Sequence, residues 1–201
     1  AEISGISHFI EHMLFKGTDR RSAQAIAREV DSVGGLLNGF TSREFSCYFV
    51  KILAEKMPMA VDLLGDLICN STFNLDDIEK ERRVILQEIA MIEDSPEESI
   101  HDQFTNSFWA GHSLGRPVIG TPEIVGDIDR QQMLDFMGQR YVGKNICVVA
   151  AGNLDHEELV ALVEHSLKSV PEKGVEQEST VPVVSRRIEV VNRDIEQTHI
   201  C

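Results

Sequence analysis

Five consecutive residues hold the most reactive grouping in this chain: His8-Phe-Ile-Glu11-His12. In a helix each residue advances about 100°, so His8 and His12 stand one turn apart on one face. Two neutral imidazoles so placed can share one divalent cation such as zinc. Glu11 lies about 100° round from His12. It is badly placed as a ligand but can reach a water on that cation, as a general base does. Ile3, Ile6, Ile10, Met13 and Leu14 recur at helical spacing and form the core-facing stripe. His8 and His12 fall on the opposite side, beside Gly5, and face solvent or a cleft. The bland alternative is a pair of surface histidines next to a glutamate.

A second helix is expected over 75–93, capped by Asn74, with Asp76 and Asp77 in its first turn. Ile78, Ile85 and Ile92 recur every seven residues, and Glu81 and Glu88 sit on the same face. A buried carboxylate without a partner costs several kcal/mol or takes up a proton. Two on one apolar face call for a cation. Arg82 and Arg83 point elsewhere on the helix. A divalent metal is the better account, with Glu88 as third ligand and Glu81 orienting a histidine.

At this point the chain resembles the pitrilysin/insulinase family of zinc peptidases. The resemblance is carried by HFIEHMLFKGT and the Glu-x6-Glu helix ending in EDSPEE. GGLLNGFTSREFSCYF at 34–49, GHSLGRPVIGTPEIV at 111–125 and YVGKNICVVAAGNLDHEELVALV at 141–163 extend it. The branch it is most similar to is the β-subunit of mitochondrial processing peptidase and its bacterial relatives. The resemblance implies Zn²⁺ held by His8, His12 and Glu88, with Glu11 as base and Glu81 as a supporting catalytic residue. Glu88 stands at the family's interval after the second histidine, and Glu81 seven positions earlier. Substrate backbone would pair with an edge strand at Asn38, Gly39, Phe40 and Thr41. Gly39 replaces the Ala more usual in that stretch, which loosens the backbone but removes no catalytic group. Glu98 and Asp102, one turn apart, match carboxylates that receive a substrate arginine in that branch. An exposed acidic face explains the same pair. The family's Arg/Tyr pair comes from a second half, and nothing in this chain matches it.

The expected activity is that of a zinc metalloendopeptidase acting on unfolded or short peptides, with basic residues near the cut. The whole of 1–201 is expected to form the catalytic domain, trimmed at both ends. A strand or two would precede it. A homologous C-terminal half or partner subunit would complete it, and a dimer is compatible with this. The alternatives are a non-catalytic scaffold subunit of the same family, a carbon–sulfur lyase with a cysteine ligand, and an acidic interaction domain. The intact His8-x-x-Glu11-His12 with Glu88 argues against the first. The lack of a cysteine near Glu88 argues against the second. The third leaves Glu81 and Glu88 unexplained.

The elements that must position these groups are ordinary in composition. The chain has 201 residues, 42% hydrophobic, and a net charge of −14. That acidity disfavours nucleic acid and anionic membrane as partners, and no run is long enough to insert in a membrane. Cys47, Cys69, Cys147 and Cys201 form no C-x-x-C and read as free thiols, with Cys69 and Cys147 in apolar stretches that look like core. This suits a reducing compartment, the bacterial cytoplasm first and the mitochondrial matrix second. Helices are expected at 3–15, from the Ser22 cap to 33, and at 54–69, 75–93, 96–109, 129–140 and 155–168. Strands are expected at 35–42, 45–53, 145–152 and near 186–192, with a polar linker at 171–180. Asn38-Gly39 alone suggests a hairpin turn, against the edge strand that the resemblance implies. The fold class is α+β: a largely antiparallel sheet with helices packed on it, the metallohydrolase fold of the processing-peptidase type. His101, His112, His156, His165 and His199 read as surface or capping residues.

Overall fold

The computed structural model describes residues 3–175, 180–184 and 187–201. Among these described residues, eight α-helices and one antiparallel hairpin follow in the order α1 (Ile6–Leu14), α2 (Ala23–Asp31), β1 (Leu36–Thr41), β2 (Ser46–Lys51), α3 (Met57–Asn70), α4 (Leu75–Asp94), α5 (Pro96–Phe108), α6 (Pro122–Asp127), α7 (Arg130–Arg140) and α8 (His156–Ser166). The architecture is mixed, with helices packed against a small antiparallel sheet. Local chemistry sets most boundaries. Ser22, Asn74, Ser95, Asp129 and Asp155 each cap a helix by accepting a backbone N–H. Asp129 and Gln132 complete a reciprocal capping box. α6, led by Thr121 and Pro122, lies outside the expected elements.

Two apolar clusters hold the fold. α1 contributes Ile6, Phe9, Ile10, Met13 and Leu14 to the larger one, which also takes Ile78, Ile85 and Ile89 of α4 with Val125, Ile128 and Met133. Phe9 joins the expected stripe, and Ile3 packs only partly against it. Ile26, Val30, Leu63 and Leu67 form the second cluster, with Phe15 and Leu37 against it. A buried polar staple ties the turn after α1 to α3. Asp66 accepts from Thr18, Arg21 and Asn70, and Arg21 also pairs with Asp62 and Glu29.

β1 and β2 pair from Leu36↔Lys51 to Thr41↔Ser46. Asn38 and Gly39 therefore lie inside a strand, opposite Phe49 and Tyr48, and the turn falls at 42–45. Edge strand, not hairpin turn, is the correct reading of that dipeptide. Side chains alternate along β1: Leu37, Gly39 and Thr41 are half-buried, while Leu36, Asn38 and Phe40 are exposed.

The expected strand at 145–152 is corrected. Those residues have no ladder partner among the described residues, and Cys147, Val148 and Val149 are exposed rather than core. A strand needs an adjacent edge to satisfy its backbone. Here the facing edge is β2, across a cleft of about 980 Å³ lined by Ser46–Phe49 on one side and Ile146–Val149 on the other. The last expected strand loses residues 185 and 186 to the undescribed set, and 187–192 likewise has no ladder partner. The linker's residues 176–179 also lie outside the described set.

Gly5 starts α1 at φ 87°, and a Cβ there would lie 2.7 Å from the Ile119 carbonyl oxygen and 2.9 Å from Gly120 Cα. Gly34 ends α2 at φ 66° with nothing within 4 Å. Gly5→Ala should therefore cost about 2–4 kcal/mol, from left-handed strain plus overpacking. Gly34→Ala should cost only about 1 kcal/mol, the strain alone. Urea denaturation of the two variants checks this, and equal losses would refute the close-approach account.

Candidate functional site

α1 and α4 pack against each other, and their polar sides meet at the edge of the shared core. His8 and His12 have ring centroids 4.7 Å apart at an interplanar angle of 63°. One ligating atom from each of His8, His12 and Glu88 falls within 4.8 Å of the others. Glu88 Oε2 lies 3.6 Å from His12 Nε2 and 3.9 Å from His8 Nε2. Those separations are too long for hydrogen bonds. In a tetrahedral zinc site, with bonds near 2.0–2.1 Å, ligand atoms stand roughly 3.3–3.4 Å apart. The two Glu88 separations are within about 0.6 Å of that spacing, so the donor set fits a divalent ion once the three side chains draw together.

The His12 ring supports that fit. His12 Nδ1 is 3.1 Å from Glu81 Oε2, which directs Nε2 toward Glu88. His8 Nδ1 is buried and has no hydrogen-bond partner. Burial first, then His12, pushes the His8 pKa below its usual value, against the pull of Glu11 and Glu88. His8 is therefore neutral near pH 7, the form that ligates.

Glu81 is buried, with 7% of its surface exposed, as its place on the Ile78–Ile85 seam predicts. Glu88 is not: its side chain is 37% exposed, at the rim of the core. The burial argument from sequence holds for the first carboxylate and overstates the second. Sequence reasoning also missed Lys16, whose Nζ lies 2.7 Å from Glu81 Oε1. One turn beyond His12, Lys16 was legible as an i+4 neighbour on the same face. Arg82 does point elsewhere, donating to the Val125 and Ile128 carbonyls and lying over the Phe9 ring at 5.4 Å.

Glu11 faces the end of the hairpin, where Thr41 Oγ1 donates to Glu11 Oε2 at 2.5 Å. Asn38 and Phe40 expose their side chains on β1, and Asn38 Oδ1 accepts from the Gly39 N–H. At Gly39 an added Cβ would meet Tyr48 at 3.1 Å and Phe15 at 3.2 Å. The glycine fits tight packing beneath the strand, a reason the sequence alone does not show. Asp102 is not free: Arg43, in the β1–β2 turn, donates to Asp102 Oδ1 at 2.7 Å and to the Leu114 and Arg116 carbonyls. Glu98 is exposed on α5, with its N–H on the Ser95 cap. No hydrogen bond or ion pair joins Glu98 or Asp102 to the histidine cluster among the described residues. The large cleft beyond β2 does not include His8, Glu11, His12 or Glu88. His112 caps the short turn at 113–115.

Comparison with known proteins identifies the family. A family model described as Insulinase (Peptidase family M16) matches residues 1–122. The chain belongs to the M16 peptidase family. A second model of that family, the Peptidase M16 inactive domain, matches 127–201, so the two meet at α6. A Mycobacterium tuberculosis protein named as an uncharacterized zinc protease is 42% identical over 209 residues, covering 100% of this M16 chain and 47% of its own length. The chain spans about half the length of the curated relatives it matches. A protease structure from Helicobacter pylori superposes with a TM-score of 0.80 at 23% identity, over 90% of this chain and 44% of that one. A Peptidase M16 inactive domain from Pseudomonas fluorescens gives 0.83 at 16% identity, over 91% and 45%. These two show the shared fold alone. No helix among the described residues is long and apolar enough to cross a membrane.

In metal-free protein the His8 ring should titrate below 6.5 by NMR, because burial disfavours its charge. The unfolded chain then binds the extra proton first. Stability should fall as pH drops beneath about 6.5 and level off below the folded pKa. A His8→Asn variant with the same pH-dependent loss would exclude His8 as its source.

Proposed function

We propose that this chain is the metal-binding half of a zinc metalloendopeptidase, with His8, His12 and Glu88 as ligands and Glu11 as general base. The observation that carries this is the convergence of the three ligating atoms within 4.8 Å, with the Glu11 carboxylate beside them. When bound, zinc acidifies a water and polarises the scissile carbonyl. Glu11 then takes the proton of the attacking water and returns it to the departing amine. Glu81, fixed by Lys16 on one oxygen, holds the His12 ring through the other. The unpaired edge of β1 lies open to an extended peptide, which would add as a further strand over Asn38, Gly39 and Phe40.

The finer reading is that peptides with a basic residue near the cut are preferred. Asp102 already holds Arg43, so that preference rests on Glu98 unless Arg43 yields. The free edge of β2, facing Ile146–Val149 across its cleft, supports an added strand or two of the same protein. The half-length match to relatives supports a homologous second half. Free thiols support the bacterial cytoplasm as the compartment. A non-catalytic scaffold is the second reading, favoured by the fold shared with an inactive M16 domain.

Full-length wild-type protein should bind about one zinc per chain and cleave peptides. His12→Ala should lose the metal. Glu11→Gln should keep it and lose roughly 10²–10⁴ in rate, the range for removing a general base. Metal analysis beside peptide turnover decides between the readings. A zinc-loaded wild-type chain that cleaves no peptide would establish the scaffold. Glu98→Gln should lower the Arg-over-Ala preference of competing peptides by about two- to five-fold, more at low salt. An unchanged preference would remove Glu98 from substrate selection.

A further inference from the structure

The end of the hairpin carries hydroxyl groups that the proposed mechanism does not use. Thr41 closes β1 and Ser46 opens β2, and the two residues are register partners. Their hydroxyls lie 3.1 Å apart. Behind them the Tyr48 and Tyr141 phenols meet at 2.7 Å, and the Ser46 hydroxyl neighbours both. Burial pushes both phenols above their usual pKa, so both keep their protons.

Counting protons gives this cluster a direction. A threonine hydroxyl has one proton to donate. Thr41 gives it to Glu11 Oε2, because an ionised carboxylate only accepts. The bond between Thr41 and Ser46 must then run from Ser46 to Thr41. Ser46 thus donates to Thr41, and Thr41 to Glu11. Each bond polarises the next, as in other hydrogen-bonded chains.

We infer that Thr41 is the positioning residue of Glu11: the hydrogen bond from Thr41, backed by Ser46, engages Oε2 and leaves Oε1 as the oxygen that handles the proton. This rests on the peptidase reading above. Two covalently distant elements are thereby joined. Glu11 rides on α1 beside the ligands, while Thr41 is fixed by the β1–β2 ladder that also offers the free strand edge. The oxygen that takes the proton and the edge expected to hold the peptide are set by one piece of backbone. A displacement of about 1 Å in such a group can cost 10²-fold in rate.

Thr41→Val keeps the strand and its shape but removes the donor. In full-length protein it should lower kcat by about 10- to 100-fold with KM within about three-fold. Thr41→Ser, which keeps the hydroxyl, should restore most of kcat, and Ser46→Ala should give a smaller loss. Zinc affinity of Thr41→Val, by competition with a chromophoric chelator, should match wild type, which a merely structural role would not ensure. In a Glu11→Gln background Thr41→Val should have no further effect. If Thr41→Val does not fold, Thr41→Ala with the same readouts takes its place. A Thr41→Val protein with wild-type kcat, or a Thr41→Ser protein as impaired as Thr41→Val, overturns this inference alone. A wild-type protein that cleaves nothing overturns the peptidase reading and this inference with it.

Discussion

The contact between α1 and α4 is the constraint on which the site depends. Each helix gives an apolar stripe to one cluster, Ile6, Phe9, Ile10, Met13 and Leu14 from the first and Ile78, Ile85 and Ile89 from the second. Burying such side chains is worth about 1.5–3 kcal/mol each. That attraction fixes the rotation of both helices, and rotation decides where the polar sides meet. His8 and His12 come to face Glu81 and Glu88 because the isoleucines between them are held. The histidine pair and the core are set together by helix phase. Removing core volume from this interface would move these side chains as well as reduce stability.

Glu81 shows how the fold accommodates a buried carboxylate. Its two oxygens are divided between Lys16 and His12. The lysine balances the charge and the histidine is oriented by what is left. From sequence, the place of Glu81 on the isoleucine seam was enough to call for a cation. The chain supplies part of that cation itself, one helical turn past His12. The local pattern was sufficient to locate the charge problem and insufficient to allot its solution between a metal and a lysine.

How far the sequence can be read follows from the range of each interaction. Caps, helix phase and the His8, Glu11 and His12 grouping depend on spacings within one helix and were legible, while Glu88, 76 positions after His12, was reached through the family resemblance. The strand at 145–152 was not, because a strand exists only with a partner edge, and Val148 and Val149 have none among the described residues. Asn38-Gly39 has turn composition, yet the ladder to Phe49 and Tyr48 overrides it. Arg43 reaching Asp102 and Thr41 reaching Glu11 join residues 59 and 30 positions apart. No periodicity encodes such contacts, since they depend on how the hairpin is set over the helices.

The same separation bears on what the fold can say about activity. A structure named as an inactive M16 domain shares this fold at 16% identity. The scaffold of helices and hairpin is therefore maintained by apolar packing that is indifferent to chemistry. The candidate site of this chain is a handful of side chains laid on that scaffold. A nearly buried imidazole whose Nδ1 has no partner, as in His8, is costly for folding alone. So is a pair of imidazole nitrogens brought near a carboxylate oxygen at distances too long to hydrogen-bond. Packing gives neither arrangement a use. A divalent ion held by the two Nε2 atoms and Glu88 would satisfy the second arrangement, which puts the preference for metal in the side chains and not in the fold.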